Sequence, residues 1–461
     1  MPGATETPVT NLPVHSDPAM AAGKAVLMHS PSGDAIAFDA SMLISAAKDL
    51  SMYTPGGTSL TARETANCYV VRTPGLYKFP LVYGNGIKGG EANERAYTRQ
   101  GSTYTADFVN HLGAPITSPY IEKNANCVAN SVELLWQTGT GLITSVDLVE
   151  GGDCRYLQFN VASVPSTNGN AVLVVKDSSG RIMWSWHIWL TSDSLGPEDF
   201  KNHTDVDYYL MSENLGAMWN SDRTRQFNPY FQWGRKDPFV PPASYSSSSN
   251  MTVYDINGNA ITWAGSATLG TSKIGVFGTD GDQSADKTVA NAIRNPGIFF
   301  PRYDTTNHNW NNLAWFNNFW NAAITGSGDL GDNQDSAVKT IYDPSPAGWM
   351  LPAGRAFTGF TTTGDNSSDS ATFNVIGAWK NGWQFKRKSD DAAGNFFPAS
   401  GYRANDSGGL ADVSSSGYYW SFAPNSQTGA RGLYFDSGSV YPLSSLYRAN
   451  GFSVRPSREL S

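Results

Sequence analysis

Short apolar runs typical of strands, some of them alternating with polar residues, are separated by turn residues from about residue 63 to residue 192. They lie at Tyr69–Val71, Leu76–Phe79, Ser131–Trp136, Tyr156–Val161 and Asn170–Val175. The sequence DSSG at residues 177–180 is typical of a hairpin turn, so residues 181–190 are predicted to return as a strand. A series of short strands joined by such turns predicts an immunoglobulin-like β-sandwich.

The returning strand carries three tryptophans and one histidine. Because successive residues of a strand point to opposite faces, Trp184, Trp186 and Ile188 should share one face. His187 falls on the other face, and no second histidine or carboxylate stands at metal-ligand spacing from it. We therefore expect His187 to have a structural role.

The segments on either side of this region have a different character. Residues 1–62 are rich in Ala, Ser, Thr and Pro, with one short helix predicted after Ser41. They form either a disordered tail or an attachment and oligomerisation arm, since they cannot bury a core alone. Residues 193–461 are aromatic, Gly-rich and irregular. Long loops on such a frame usually bind something.

Composition narrows the classes of function. Lys and Arg number 32 against 40 Asp and Glu, and a net charge of −8 argues against binding to a nucleic-acid backbone. No apolar run is long enough for a membrane-spanning helix. The first residues lack the pattern of a secretory signal, so the chain is expected either to bypass general secretion or to have lost its signal. Cys68, Cys127 and Cys154 are read as three free thiols, with one disulfide plus one thiol as the alternative.

Five ordered motifs in residues 193–461 resemble a known family. They are FQWGRKDPF at 231–239, YDPSPAGWMLP at 342–352, FPASGYR at 397–403, GYYWS at 417–421 and RANGFSVR at 448–455. All five are similar to the Fibrobacter succinogenes major paralogous domain, which belongs with C-type-lectin-like and formylglycine-generating-enzyme-like folds. ANCYV at 66–70 and WSWHIW at 184–189 resemble the sandwich that commonly precedes this domain in fimbrillin-like proteins of Bacteroidetes.

The resemblance implies a mainly β chain in three parts. Residues 1–62 would be the arm, residues 63–192 the immunoglobulin-like β-sandwich, and residues 193–461 a C-type-lectin-like domain of α+β type. Surface relatives commonly have cysteines where this chain has Ser345 and Pro456. The last domain is therefore expected to fold without a disulfide, as suits a reducing compartment.

Two further resemblances point to bacteriophage. The ending GFSVRP at 451–456 is similar to variable proteins of diversity-generating retroelements, in which a C-type lectin fold displays mutagenised residues. Many such proteins lie on phage tails. NLPVHS at 11–16 and LMHS at 27–30 resemble the start of a phage tail protein.

Residues 193–461 lack recognisable catalytic signatures. They contain no cysteine, which removes the oxidase chemistry of formylglycine-generating enzymes, and His203 and His308 lie in no nucleophile motif. Asp390 and Asp391 are interpreted as solvated turn residues. The triplets that bind calcium in C-type lectins are missing, so we expect no cofactor and no catalytic or metal-binding residue. A structural Ca²⁺ held by loop carbonyls and Asp is the alternative.

The stretch from residue 417 to residue 447 is rich in Tyr, Ser, Asn, Asp and Gly, the residue types that dominate antibody paratopes. Alternation assigns the core to Trp420, Leu433, Phe435, Val440, Phe452 and Val454. The residues expected to be exposed and to bind ligand are Tyr419, Phe422, Asn425, Ser426, Arg431, Tyr434, Asp436, Ser439, Tyr441, Ser444, Ser445 and Tyr447. The loops around Ser246 and Ser367 are expected to lie outside the site. The alternative is that the tyrosines only cap the rim of a core.

These patterns predict a non-enzymatic receptor-binding protein. It would be an adhesin at the tail tip of a phage that infects a Bacteroides-type host. It would be made in the host cytoplasm, reside in the virion tail and bind a host cell-surface glycan or protein. The arm would contact other tail or fibre proteins, and the chain would form a homo-oligomer, by analogy a trimer. No nucleic acid or membrane insertion is expected. The alternatives are a bacterial fimbrial-tip or surface adhesin on the bacterial cell surface, and a glycan-active enzyme.

Overall fold

The computed structural model describes residues 47–459, apart from residues 102, 307, 327–336, 389–392 and 427, and two strand backbones before them. Packing divides the chain into two units, Met1–Lys48 and Asp49–Ser461. In the first unit, β1 (Lys24–His29) pairs antiparallel with β2 (Ala35–Asp39). The helix predicted after Ser41 begins outside the described residues. Residues 49–62, which the sequence placed in the arm, belong by packing to the second unit.

From residue 48 onward the strands are short and numerous. Up to residue 211 they are β3 (Lys48–Asp49), β4 (Cys68–Val71), β5 (Gly75–Pro80), β6 (Ile87–Lys88), β7 (Glu91–Ala92), β8 (Ser131–Gln137), β9 (Ile143–Val149), β10 (Tyr156–Val161), β11 (Gly169–Lys176), β12 (Ile182–Leu190), β13 (Pro197–Lys201) and β14 (Asp207–Met211).

The later strands are mostly shorter, except near the C-terminus. They are β15 (Met218–Trp219), β16 (Gln226–Phe227), β17 (Phe231–Gln232), β18 (Val253–Tyr254), β19 (Ala260–Ile261), β20 (Gly275–Val276), β21 (Ile298–Phe299), β22 (Trp349–Met350), β23 (Val375–Ile376), β24 (Gly382–Lys386), β25 (Gly394–Pro398), β26 (Tyr402–Arg403), β27 (Leu410–Ala411), β28 (Gly417–Pro424), β29 (Gly429–Phe435), β30 (Val440–Tyr447), β31 (Gly451–Phe452) and β32 (Ser457–Arg458).

Helices contribute little to the described residues. The one α-helix there is α1 (Val289–Arg294), which begins where the Thr288 hydroxyl accepts a hydrogen bond from the Asn291 amide. The 3₁₀ helices are Leu50–Met52, Glu94–Ala96, Ile121–Lys123, Gly354–Phe360 and Ser370–Thr372. The protein is therefore mainly β, built from several separate sheets. In the described part of residues 193–461, helical structure is limited to α1 and two of the 3₁₀ helices.

The strands predicted between residues 63 and 192 are confirmed as β4, β5, β8, β10, β11 and β12. A six-stranded sheet has the order β19-β18-β8-β11-β12-β4, and in a second sheet β10 lies between β5 and β9. Aromatic contacts join the two sheets, since the ring of Phe79 on β5 lies 4.7 Å from Tyr69 on β4 and 4.9 Å from Trp186 on β12.

Strand β12 is buried on both faces, which alternation alone does not predict. It pairs antiparallel with β11 and parallel with β4, so it lies inside the sheet. The His187 Nε2 atom is 2.8 Å from Asn170 Oδ1, and burial lowers the pKa of His187 to about 3. The imidazole is therefore neutral and hydrogen-bonded, consistent with the structural role expected for it.

No break in packing marks the expected domain boundary at residues 192 and 193. Strand β18 extends the six-stranded sheet through the pairing of Tyr254 with Gln137 on β8. The Asn67 amide also donates to the main-chain carbonyls of Ile341 and Asp343, at 2.6 and 2.8 Å. The two regions therefore share one core within the unit Asp49–Ser461.

Four fully buried arginines organise the irregular C-terminal half: Arg235, Arg403, Arg448 and Arg455. Each donates to oxygens of main-chain carbonyls and side-chain amides. Arg448 reaches the carbonyls of Gly429 and Ser426 at 3.1 and 2.7 Å. A guanidinium offers five donors, so one side chain can hold several loop carbonyls that no sheet partner reaches.

Tryptophan indoles add a second set of links to the main chain. Trp233, Trp349 and Trp420 are buried, as the sequence predicts. The Trp233 indole donates to the Ser421 carbonyl at 3.0 Å, and the Trp420 indole donates to the Phe231 carbonyl at 2.8 Å. These reciprocal bonds join β17 to β28.

Replacing Trp233 separates the contribution of its buried volume from that of its indole hydrogen bond. Trp233→Ala should lower the free energy of unfolding by roughly 3–5 kcal/mol because it leaves a cavity. Trp233→Phe keeps a ring but leaves the Ser421 carbonyl without its donor, at a cost of about 1–3 kcal/mol. Urea unfolding measures both. The control is Trp379→Phe, at a half-buried tryptophan, with a cost below about 1 kcal/mol. Equal costs for the two Phe variants would contradict the role of the indole.

All three cysteines are free, with Cys68 and Cys127 buried and Cys154 half-buried. Burial raises the pKa of each thiol, which slows its oxidation and alkylation. The full chain should therefore melt at the same temperature with and without reductant. Thiol titration of the unreduced, denatured chain should find all three thiols. A single reactive thiol would show a disulfide and contradict this expectation.

Glu213 should make stability fall as the pH rises. Burial, and then the charge of Asp193, raises the pKa of Glu213 from 4.5 to about 8. The folded state holds this proton more tightly than the unfolded state. The contribution of Glu213 to the free energy of unfolding is therefore fully present below pH 4.5 and is lost as the pH rises from 4.5 to 8.

The Glu213→Gln variant tests this because it cannot ionise. Its stability relative to the parent should increase between pH 5 and 8, by at most about 1.4 kcal/mol per pH unit. Urea unfolding across this range measures the difference, in which the buried histidines cancel. A difference that does not change with pH would contradict the raised pKa.

Candidate functional site

The residues predicted to bind ligand lie in and around the three-stranded antiparallel sheet β28-β29-β30. Its inner face packs into a core that contains Phe385 and Phe397. All six positions assigned to the core by alternation are buried: Trp420, Leu433, Phe435, Val440, Phe452 and Val454. These six core assignments are therefore confirmed.

Two of the residues expected to be exposed are buried. Tyr419 lies on the inner face, where its hydroxyl donates to the Pro398 carbonyl at 2.7 Å. Phe422 belongs to the other core, and its amide donates to the Pro352 carbonyl at 2.9 Å. The cause is that β28 is covered on both faces beyond Tyr418, so alternation along it no longer distinguishes core from surface. The other expected residues are half-buried or exposed.

A row of four tyrosine rings crosses neighbouring strands; we call Tyr402, Tyr418, Tyr434 and Tyr441 the tyrosine row. Tyr418 pairs with Tyr434, and Tyr434 pairs with Tyr441, in the register of the sheet. Successive ring centroids are 4.7, 5.0 and 5.4 Å apart. Contacts of this kind between neighbouring strands stabilise the sheet and stiffen the aromatic surface.

Hydrogen bonds to carboxylates fix two hydroxyls of the tyrosine row. Tyr418 donates to Asp412 Oδ2 at 3.0 Å, and Tyr434 donates to Asp436 Oδ2 at 2.6 Å. Burial, and then the hydrogen bond to Asp436, raises the pKa of Tyr434. This phenol is therefore neutral at physiological pH and holds a defined orientation.

Sequence reasoning missed Tyr402 and Tyr418. The signal for Tyr418 was the register of the hairpin, because Tyr434 was correctly placed on the outer face and Tyr418 is its partner across the strands. Tyr402 lies in the FPASGYR motif, outside the stretch considered, and reaches the row only through the fold.

A pocket of about 310 Å³ lies at one end of the tyrosine row. Its aromatic walls are Tyr402, Tyr418, Tyr447 and Phe452, and its polar lining includes Asn405, Asp406, Asn450 and Ser445. Tyr447 is 46% exposed and stacks on His308 with ring centroids 3.7 Å apart, so its ring is held in place. Aromatic faces beside a few convergent polar groups are the usual lining of a small-ligand site.

The remaining expected residues are spread over the sheet and the two ends of the tyrosine row. Ser439 lies near Ser368 at the Tyr441 end, with hydroxyl oxygens 3.4 Å apart. Asn425 donates to the Ser445 hydroxyl at the other end, which is the pocket end. Arg431 donates to the Leu443 carbonyl at 3.1 Å across the sheet. Ser426 and Ser444 are half-buried, and the Ser426 hydroxyl accepts from the Gly429 amide.

The loop around Ser367 borders this surface, contrary to the expectation that it lies outside. Ser367 and Val440 exchange two main-chain hydrogen bonds of 2.9 Å. The Ser368 hydroxyl lies 2.9 Å from the Tyr441 hydroxyl. A ligand on the Tyr441 end of the row would therefore also reach this loop.

Among the described side chains, no three His, Cys, Asp or Glu residues come together in a way that could hold a metal ion. His308 is engaged with Tyr447, and Asp390 and Asp391 lie outside the described residues. No helix within the described ranges has the length and apolar character of a membrane span.

Comparisons of the chain with protein-family models, with curated proteins and with solved structures find no match.

Proposed function

We propose that this protein is a non-enzymatic receptor-binding protein that recognises a cell-surface ligand through the tyrosine row and the adjoining pocket. The observation that carries the proposal is the pocket itself, in which four aromatic side chains stand beside amide and carboxylate groups. Tyrosine provides a large, rigid contact area with a polar tip, which makes it a frequent hot-spot residue at binding surfaces.

The shape and chemistry of this surface suit a saccharide. Aromatic faces cover the apolar face of a sugar ring, while Asn405, Asp406 and Asn450 offer donors and acceptors to its hydroxyls. A volume of about 310 Å³ holds a small ligand and is at the lower end for such sites, which span about 300–1,000 Å³. Host capsule and surface glycans are ligands of this class.

The finer architecture belongs to the same proposal. Residues 63–192 would form the immunoglobulin-like β-sandwich, in keeping with the Phe79 contacts between its two sheets. Residues 193–461 would form the C-type-lectin-like domain, and the arm would attach the protein to a phage tail, with a trimer as the assembly. Fimbrial-tip adhesion is the alternative setting, and a neighbouring set of tail or fimbrial assembly genes distinguishes the two.

Diversification of the C-terminal sheet by a retroelement is the last part of the proposal. The sheet would tolerate such diversification, because the buried core positions on β29 and β30 are distinct from the half-buried and exposed positions that would vary. A near-copy of the last codons that differs mainly at adenines, beside a reverse transcriptase gene, is the expected genomic observation. Its absence would remove retroelement diversification and leave ligand binding untouched.

Alanine substitution at Tyr441 and Tyr447 tests the binding surface at both ends. Each residue is expected to contribute on the order of 2 kcal/mol, so each variant should bind about thirtyfold more weakly. Binding is measured with labelled full-length protein on intact Bacteroides cells and on an oligosaccharide array. The melting temperature should change little, because Tyr447 is exposed and Tyr441 is half-buried.

The matched control is Tyr209→Ala on β14. Tyr209 is 39% exposed, close to the 46% of Tyr447, but lies on another sheet. This variant should bind like the parent. Unchanged binding by both Tyr441→Ala and Tyr447→Ala would place the binding surface elsewhere.

A further inference from the structure

A second pocket, of about 290 Å³, shares no lining residue with the pocket at the tyrosine row. It is formed by the turn between β11 and β12, the loop at residues 269–273 and the end of α1. Four basic side chains line it: Lys176, Arg181, Lys273 and Arg294. In a protein with a net charge of −8, this concentration of positive charge needs a reason.

Two carboxylates balance part of the charge. Glu133 forms ion pairs with Lys176 and, at 2.6 Å, with Lys273. Burial acts to raise the pKa of Glu133, but the hydrogen bonds from these lysines outweigh burial and lower it, so the carboxylate is ionised. Arg181 pairs with Asp177 at 2.8 Å. A third carboxylate, Asp286, interacts with Arg294, so four cations face three carboxylates and an excess of one positive charge remains.

The basic side chains also repel one another. Burial, and then the charge of Arg181, lowers the pKa of Arg294. The Arg294 guanidinium is fixed by a hydrogen bond of 2.9 Å to the His111 carbonyl and by a second one to the side-chain oxygen of Asn291, which also lines the pocket. A bound anion would relieve this repulsion, and a guanidinium can contact a carboxylate or sulfate through two parallel hydrogen bonds.

The rest of the lining is suited to a polyhydroxylated ligand. Hydroxyls come from Ser179, Thr271 and Ser272, and amides come from Asn291 and Asn295. The Asn295 amide oxygen already accepts from the Gly270 amide at 2.7 Å, which fixes the side chain in the wall. Such groups exchange hydrogen bonds with sugar hydroxyls, while the cations select for an acid group.

We propose that this pocket binds an acidic sugar residue, a monosaccharide unit that carries a carboxylate or a sulfate. The site is built on β8, β11, β12 and α1, and none of its lining residues is shared with the pocket at the tyrosine row. The pocket is therefore independent of the receptor-binding surface, and either proposal can be contradicted by experiment without affecting the other.

Titration of the full-length chain with glucuronate, glucose 6-sulfate, glucose and inorganic sulfate tests the proposal. Calorimetry at 50 and 300 mM salt should detect glucuronate or glucose 6-sulfate and not glucose, with weaker binding at high salt. Whichever acid binds more tightly identifies the acid group. Binding of inorganic sulfate as tight as that of both acidic sugars would overturn the saccharide assignment, and no binding by either acidic sugar would overturn the site.

Two variants should change the affinity in opposite directions. Lys273→Gln removes a cation from the pocket and should weaken binding about fivefold, whereas Glu133→Gln removes the opposing carboxylate and should strengthen it. The control is Lys88→Gln, which removes a surface lysine paired with Glu459, outside the pocket, and should leave binding unchanged. Thermal melts establish that each variant is folded. Unchanged affinity in folded Lys273→Gln would overturn the site, as would an equal loss in Lys88→Gln.

The same titration of Tyr447→Ala separates the two surfaces. Acidic-sugar affinity in this variant should equal that of the parent, whatever happens to cell attachment. A matching loss of acidic-sugar affinity would place the acidic ligand at the tyrosine row and overturn the second site.

Discussion

Buried guanidinium groups that hold main-chain carbonyls are the constraint on which the C-terminal half depends. Much of that half is irregular, and irregular backbone has carbonyls that no sheet ladder satisfies. Arg455 donates to the carbonyls of Met211 and Phe396, at 3.1 and 2.8 Å, and so ties together segments far apart in sequence. Arg403 does the same for Gly408 and Val240. Burial lowers the pKa of both arginines, so these contacts compensate an unfavourable desolvation.

Aromatic packing over the segments held by these arginines determines which side chains of the sheet β28-β29-β30 are exposed. Phe452 packs on Trp420 with ring centroids 4.4 Å apart, and it stacks on Tyr418 at 5.0 Å. The cover over β28 therefore ends at Tyr418, where the tyrosine row crosses this strand. The surface proposed to bind ligand thus lies at the edge of the core, where Phe452 no longer covers the strand. This makes a rigid contact area, because each ring is supported from beneath or from the side.

The two proposed sites use different physical chemistry on one compact unit. The tyrosine row has neutral phenols whose hydroxyls are held by Asp412 and Asp436, so it suits the apolar faces of a ligand. The pocket near α1 has an excess of positive charge, which suits an acid group and responds to salt. A chain with both surfaces can distinguish an acidic polysaccharide from a neutral one, since each contact adds its own selectivity.

Alternation and turn residues, which the sequence contains, were enough to locate β4, β5, β8, β10, β11 and β12 and six core positions in and around the C-terminal sheet, because both depend on neighbouring residues. They failed at Tyr419 and Phe422, since burial on a strand also depends on what covers its second face. The tyrosine row needed the register between strands, which brings Tyr402 beside Tyr418. The buried arginines and the basic pocket could not be predicted from the sequence alone. Arg455 and Met211, and likewise Lys176 and Arg294, lie more than one hundred residues apart in the sequence, and only the tertiary structure brings them together.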